Sequence, residues 1–138
     1  MSLANIQTPA GITFNERKVS AVLKTPGNGQ IDAKNVVLID HASLVAASPS
    51  VKVSLAASTG ANASGLYGVV TKDITVANGG IVQLGGIATV MSGGAVALGS
   101  PVACEADGDV VVATDATDAA IGASLEAASG AAEEIKIM

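Results

Sequence analysis

From Ile74 to Cys104 the chain runs 31 residues without a charged side chain, and glycines divide that run at short intervals. A stretch so long and apolar exceeds the roughly 20 residues that a membrane-spanning helix needs. Gly79-Gly80, Gly85-Gly86, Gly93-Gly94 and Gly99-Ser100-Pro101 argue against such a helix, because each pair is a turn signal. Between them lie Ile81–Leu84, Ile87–Ser92 and Ala95–Leu98, all of strand length. Gln83, Thr89 and Ser92 among apolar neighbours suit strands with one drier and one wetter face. The punctuation predicts a compact β-meander.

The rest of the composition agrees. The 138 residues suit one domain with a real core. Isoleucine, valine and leucine number 36 and alanine 26, while Phe14 and Tyr67 are the only aromatics. A core of β-branched residues fits pleated strands, because branching at Cβ restricts χ1 and packs well on a sheet.

Ile6–Phe14 contains Pro9 and Gly11, which exclude a helix and interrupt a central strand. Lys18–Lys24 reads as a strand closed by the Thr25–Gly29 turn, and Val36–Ile39 as a short buried strand. His41–Ala47 fits a strand or a helical turn equally well. Val51, Val53 and Leu55 alternate with Lys52 and Ser54, as on a half-buried strand. Ala56–Ser64, small and polar, reads as a flexible surface loop. Strands follow at Gly65–Lys72, at Pro101–Ala106 and Val110–Thr114 around an Asp107-Gly108-Asp109 hairpin turn, at Ile121–Ala128 (with helix as the competitor) and at Glu133–Met138. Eight to ten short strands imply an all-β fold: a small single-domain barrel or sandwich, β-tulip or jelly-roll-like, over 18–138, with an extended N-terminal arm over 1–17.

Enzymatic signatures are missing. Cys104 stands alone and reads as a small buried hydrophobe; His41 is the only histidine and reads as a surface residue. Asp107, Asp109, Asp115 and Asp118 lack the closing glutamate of a calcium loop and read as turn residues on a solvated face. Asn62-Ala63-Ser64 matches a glycosylation acceptor without other signs of secretion. The glycine pairs are not followed by the lysine and Ser/Thr of a phosphate-binding loop. No catalytic, cofactor or metal residue is assigned. With no basic cluster beyond Arg17-Lys18 and almost no aromatics, nucleic acid is not expected as a partner; neither is a membrane or a small-molecule substrate.

Charge is distributed unevenly. Residues 1–72 carry six Lys/Arg against three acids, and residues 73–138 carry nine acids against Lys136. Such asymmetry orients a protein on a charged partner or favours head-to-tail contact between copies.

The second half resembles the capsid cement, or head decoration, proteins of tailed bacteriophages. The resemblance rests on Gly68-Val69-Val70, Gly86-Ile87-Ala88-Thr89-Val90, the stretch Ser92 to Val102, the Asp107-Gly108 hairpin, Ile121 to Ser129, and Glu134-Ile135-Lys136-Ile137. It implies a structural, non-enzymatic protein, made in the bacterial host cytoplasm and bound to the outer surface of an expanded capsid where capsomers meet. Its partners would be the major capsid protein and itself, as a homotrimer, and it would reinforce the shell against DNA pressure. On this reading the arm lies along a neighbouring subunit as an added strand. The capsid contacts would then be Ile6, Thr8, Ile12, Phe14, Arg17, Lys18 and Lys24, the basic half facing the capsid and the acidic half facing solvent. The alternatives are a trimeric fibre-type receptor- or carbohydrate-binding module, for which two aromatics offer a poor sugar platform, and a tail-tube component.

Overall fold

The computed structural model describes residues 17–25, 29–45, 50–59, 62–114 and 118–138. Alternating β-branched residues build its first ring. Strands β1 (Lys18–Leu23), β2 (Val36–Ile39), β3 (Val51–Ser54), β4 (Leu66–Lys72) and β5 (Gly80–Gln83) close into a barrel in the order β1-β3-β2-β4-β5. β1 runs parallel to β3, and every other neighbouring pair is antiparallel. Ala21, Leu23, Val37, Ile39, Val51, Val53, Val70 and Val82 fill the interior, and Ile31 and Ile74 join them through a bridge outside the ring.

Five strands enclose less space than the eight that leave room for large side chains. Small residues therefore recur where strands approach. A Cβ at Gly80 would lie 2.6 Å from the Asp73 carbonyl oxygen and closer still to that of Lys72, beside the irregular β4–β5 register. In the β2–β3 connection, α1 (His41–Val45) settles the segment that pattern left open. The Ser43 hydroxyl donates to the Asp40 carbonyl (2.6 Å) and accepts the Lys52 N–H (2.9 Å), tying this helix to β3.

The second layer comprises β6 (Ala88–Met91), β7 (Pro101–Cys104), β8 (Val110–Val112), β9 (Gly122–Ala123) and β10 (Glu134–Ile137). Its backbone pairings make a circuit. β6 pairs with β10, β10 meets Ser124 through Ile137, β9 pairs with β7, β7 with β8, and Val110 bridges to Ser92 just beyond β6. Inside lie Val90, Val96, Val102, Cys104, Val110, Ala128, Ile135 and Ile137, together with Val36 and Val69 from the outer face of the barrel. The Asp107-Gly108 hairpin forms as expected. Gly108 takes φ +89°, and its carbonyl accepts the Val36 N–H (2.8 Å), so the turn docks on the start of β2.

Several expectations are corrected. The uncharged run is no meander: β5 pairs with β1 and β4 in the barrel, whereas β6 pairs with β10 in the second layer. Ala95–Leu98 is not a strand but a single bridge at Val96, with Ala95, Ala97 and Leu98 exposed. Ile121–Ala128 is neither one strand nor a helix; only Gly122–Ala123 is ladder, because Ser124 turns inward to bond the Ala97 and Glu126 carbonyls. Leu55 lies 39% exposed past the end of β3 instead of sharing the buried face. Of the arm over 1–17, residues 1–16 lie outside the described residues.

Gly80→Ala should lower stability by about 1–3 kcal/mol through overpacking, read as a lower urea midpoint. Gly94→Ala, whose Cβ would meet nothing within 4 Å, is the control and should leave the midpoint nearly unchanged.

Candidate interaction surface

Buried polar groups around the second layer bond the backbone. Ser58, fully buried, donates its hydroxyl to the Ala119 carbonyl (2.9 Å) and accepts the Cys104 N–H (3.0 Å), while its own N–H bonds the Cys104 carbonyl (3.0 Å). The Cys104 thiol donates to the Ala56 carbonyl (3.1 Å), and the Tyr67 hydroxyl donates to that of Ala57 (2.8 Å). The start of the expected flexible surface loop is thus pinned into the core, through a serine whose burial composition cannot signal. Burial pushes the Cys104 thiol up to about 11 from 9.0. Burial and then the nearby Cys104 push Tyr67 up to about 12 from 10.0.

His41 is exposed at the first position of α1. The Asp107 carboxylate accepts the Asp109 N–H (3.1 Å), and the Asp118 carboxylate accepts the Thr114 N–H (3.1 Å), which are turn-forming roles. Asp115 lies outside the described residues. Among the described residues, no three His, Cys, Asp or Glu side chains gather as a metal-holding group, and no helix is long and apolar enough to cross a membrane.

Of the expected contact residues, Ile6, Thr8, Ile12 and Phe14 lie outside the described residues. Arg17 and Lys18 sit together where β1 begins, and the Arg17 carbonyl accepts the Leu84 N–H (2.6 Å). Lys24 is not with them. It follows the far end of β1, roughly 20 Å away at about 3.3 Å per residue, and pairs with Asp40 at 3.8 Å. The barrel has no open edge between its first and last strands for an added strand to enter.

The charge asymmetry of the sequence becomes an asymmetry of lobes. Residues 17–83, which contain the barrel, carry six basic and three acidic side chains; residues 84–138, which contain the second layer, carry eight acids and Lys136. Lys34 pairs with Glu134 across the junction, and Lys136 pairs with Glu126 at 3.2 Å.

Three surface features remain. A cleft of about 250 Å³ lies between the layers, lined by Val36, Tyr67, Val69, Gln83, Ile121 and Met138 among others, with Gln83 held by its Nε2 donating to the Gly85 and Ile87 carbonyls (2.8 Å each). A wider groove of about 640 Å³ crosses the barrel, with Val19, Leu44, Leu66 and Leu84 beside Arg17. On the second layer Leu98, 70% exposed, projects from a turn at whose base Gly99 has φ +83°. Leu98 is the signal that the uncharged run carried and that a strand assignment hid.

No protein-family model and no curated protein matches the sequence. Among solved structures, the chain is similar to the head fiber gp8.5 N base in bacteriophage phi29. Identity is 17%, the match covers 89% of this chain and 92% of that one, and the TM-score is 0.61. The likeness establishes a shared fold across nearly the whole chain.

Ser58→Ala should cost about 1–3 kcal/mol, because it leaves the buried Cys104 N–H and Ala119 carbonyl without their partner. Alkali provides a second check. Both raised groups are neutral in the fold, so their stabilisation is complete below the unfolded values of 9.0 and 10.0 and is lost as pH rises through about 11 and about 12. The thermal midpoint should fall over that range, and Cys104→Ala should flatten its lower part.

Proposed function

We propose that this chain is a structural protein of a tailed-bacteriophage head, bound to the outer surface of the capsid in several copies and reinforcing it as a cement protein. The observation that carries this reading is the fold likeness to the base of a phage head fiber over nine-tenths of the chain. The resemblance of Gly65 to Met138 to capsid cement proteins supports it from the sequence. The chemistry is compatible: the one cysteine is buried with a raised thiol pKa, and the buried serines bond backbone groups. The major capsid protein is the partner, and the barrel, which carries the positive balance, is the lobe that faces it.

A second reading follows from the same likeness. The chain would be the base of a longer head fiber, attached to the capsid without strengthening it. Capsid melting separates the two, since a cement protein raises the temperature at which the shell opens and a fiber base leaves it unchanged.

Co-sedimentation with expanded and unexpanded heads tests the primary reading. Binding should occur on expanded heads only. It should weaken with salt, because the screening length falls from about 10 Å at 0.1 M to about 3 Å at 1 M. Equal binding to both head forms would remove the cement role, and salt-independent occupancy would reverse or abolish the orientation by charge.

A further inference from the structure

An asparagine followed by glycine is a reactive pair, because no Cβ shields the glycine nitrogen from the side-chain amide before it. Asn78-Gly79 is such a pair, set in the turn that leads from Ile74 into β5. The turn projects from the barrel: Val76 is 64% exposed, and Ala77, Asn78 and Gly79 are exposed with it. Its hydrogen bonds use the backbone of Asn78. The Asn78 carbonyl accepts the Thr75 N–H (2.8 Å) and the Thr75 hydroxyl (2.9 Å), and the Asn78 N–H donates to Thr75 Oγ1 (2.9 Å). The side-chain amide takes no part in these three bonds. The Gly79 nitrogen lies outside the ladders of β5, whose registers begin at Gly80 and Ile81.

Other described pairs are held differently. The Asn35 Nδ2 reaches the Asp109 carboxylate (3.4 Å), and the nitrogen that follows, that of Val36, is bonded to the Gly108 carbonyl (2.8 Å). In Asp107-Gly108 the Gly108 N–H donates to the Glu105 carbonyl (3.0 Å). Asn62 is followed by Ala63, which has a Cβ.

We propose that Asn78 is a site of spontaneous deamidation and isomerisation, and that the isomerised form loosens the barrel where β1, β4 and β5 meet. The Gly79 nitrogen gives up its proton and bonds to Asn78 Cγ; the bond from Cγ to the amide nitrogen breaks, and ammonia leaves a five-membered imide. Water then opens the ring. Addition at Cγ gives aspartate in an ordinary peptide chain. Addition at the main-chain carbonyl carbon routes the chain through Cγ, giving an isoaspartyl residue with one more methylene in the backbone. Nothing is oxidised or reduced, and water is the only co-reactant.

The barrel has no room for that methylene. A Cβ on Gly79 would lie 2.8 Å from the Ala21 carbonyl oxygen, and one on Gly80 2.6 Å from that of Asp73 and closer still to that of Lys72. Lengthening the chain just before these two residues pushes them against β1 and the end of β4, where closely packed backbone yields only with strain. The aspartyl product keeps the backbone length and adds one negative charge beside Lys72 and Asp73 on the rim of the same groove. Asn28-Gly29 provides the contrast. Asn28 lies outside the described residues, but a Cβ on Gly29 would meet nothing within 4 Å, so a longer backbone there is accommodated.

Ageing the full chain in warm, mildly alkaline buffer tests the proposal. Peptide mapping by mass spectrometry locates the deamidated residue, and transfer of labelled methyl groups by an isoaspartyl methyltransferase counts the isomerised one. Conversion at Asn78 should outpace that at Asn35 and Asn62. A second, lower thermal transition should grow in proportion to isoaspartate at position 78. Asn78→Gln, aged alongside, should keep the fresh midpoint, and freshly made Asn78→Asp should melt with the wild type, separating the added charge from the longer backbone. Conversion at Asn78 no faster than at Asn35, isoaspartate at 78 without a lower transition, or equal loss of stability in aged Asn78→Gln would each overturn the proposal.

Discussion

The pairing of β2 with β4 is the contact on which the two layers depend. Val37 and Val70 point into the barrel, while Val36 and Val69, paired directly across the two strands, point into the second core. At these positions both faces of the strands are therefore buried, and the second layer completes its core with a wall that belongs to the barrel. A barrel of five short strands has little interior of its own, and the second layer has only ladders of two and three strands. The second ring of side chains is not closed without that wall. Coupled burial of this kind makes the molecule one cooperative unit, although it has two cores.

Where the second layer lacks long ladders, buried serines take over. Ser58, Ser92 and Ser124 each bond backbone carbonyls on segments distant in sequence, and Ser58 and Ser92 also accept backbone N–H groups. Irregular backbone can be buried only if its polar groups find partners, and hydroxyls serve because they donate and accept at once. The layer's buried serines are committed to backbone carbonyls.

Much of this was legible in the residues. Alternation located β3 and β10, the turn signal at Thr25–Gly29 marked the end of β1, the Asp-Gly pair located the β7–β8 hairpin, and the glycine pairs excluded a long helix. What misled was continuity. Ile81–Leu84, Ile87–Ser92 and Ala95–Leu98 are neighbours in sequence with similar composition, yet they pair with strands up to about 60 residues away or with almost nothing. Apolar composition cannot distinguish Val90, sealed in the second core, from Leu98, facing solvent. The basic residues show the same limit: Arg17, Lys18 and Lys24 are close in sequence, but an extended strand holds Lys24 away from the other two.

By itself the sequence determined the class of fold, because β-branched residues at period two, broken by glycine turns, can bury their side chains only as strands in a layered sheet. It also determined the charge of each half. Which strands would pair, that the basic half would become the barrel and the acidic half the second layer, and that Leu98 would stay outside were decided by tertiary structure. The reason is physical. Pairing and burial depend on contacts between residues far apart in the chain, and five strands close around small side chains at positions such as Gly80 only once those contacts exist.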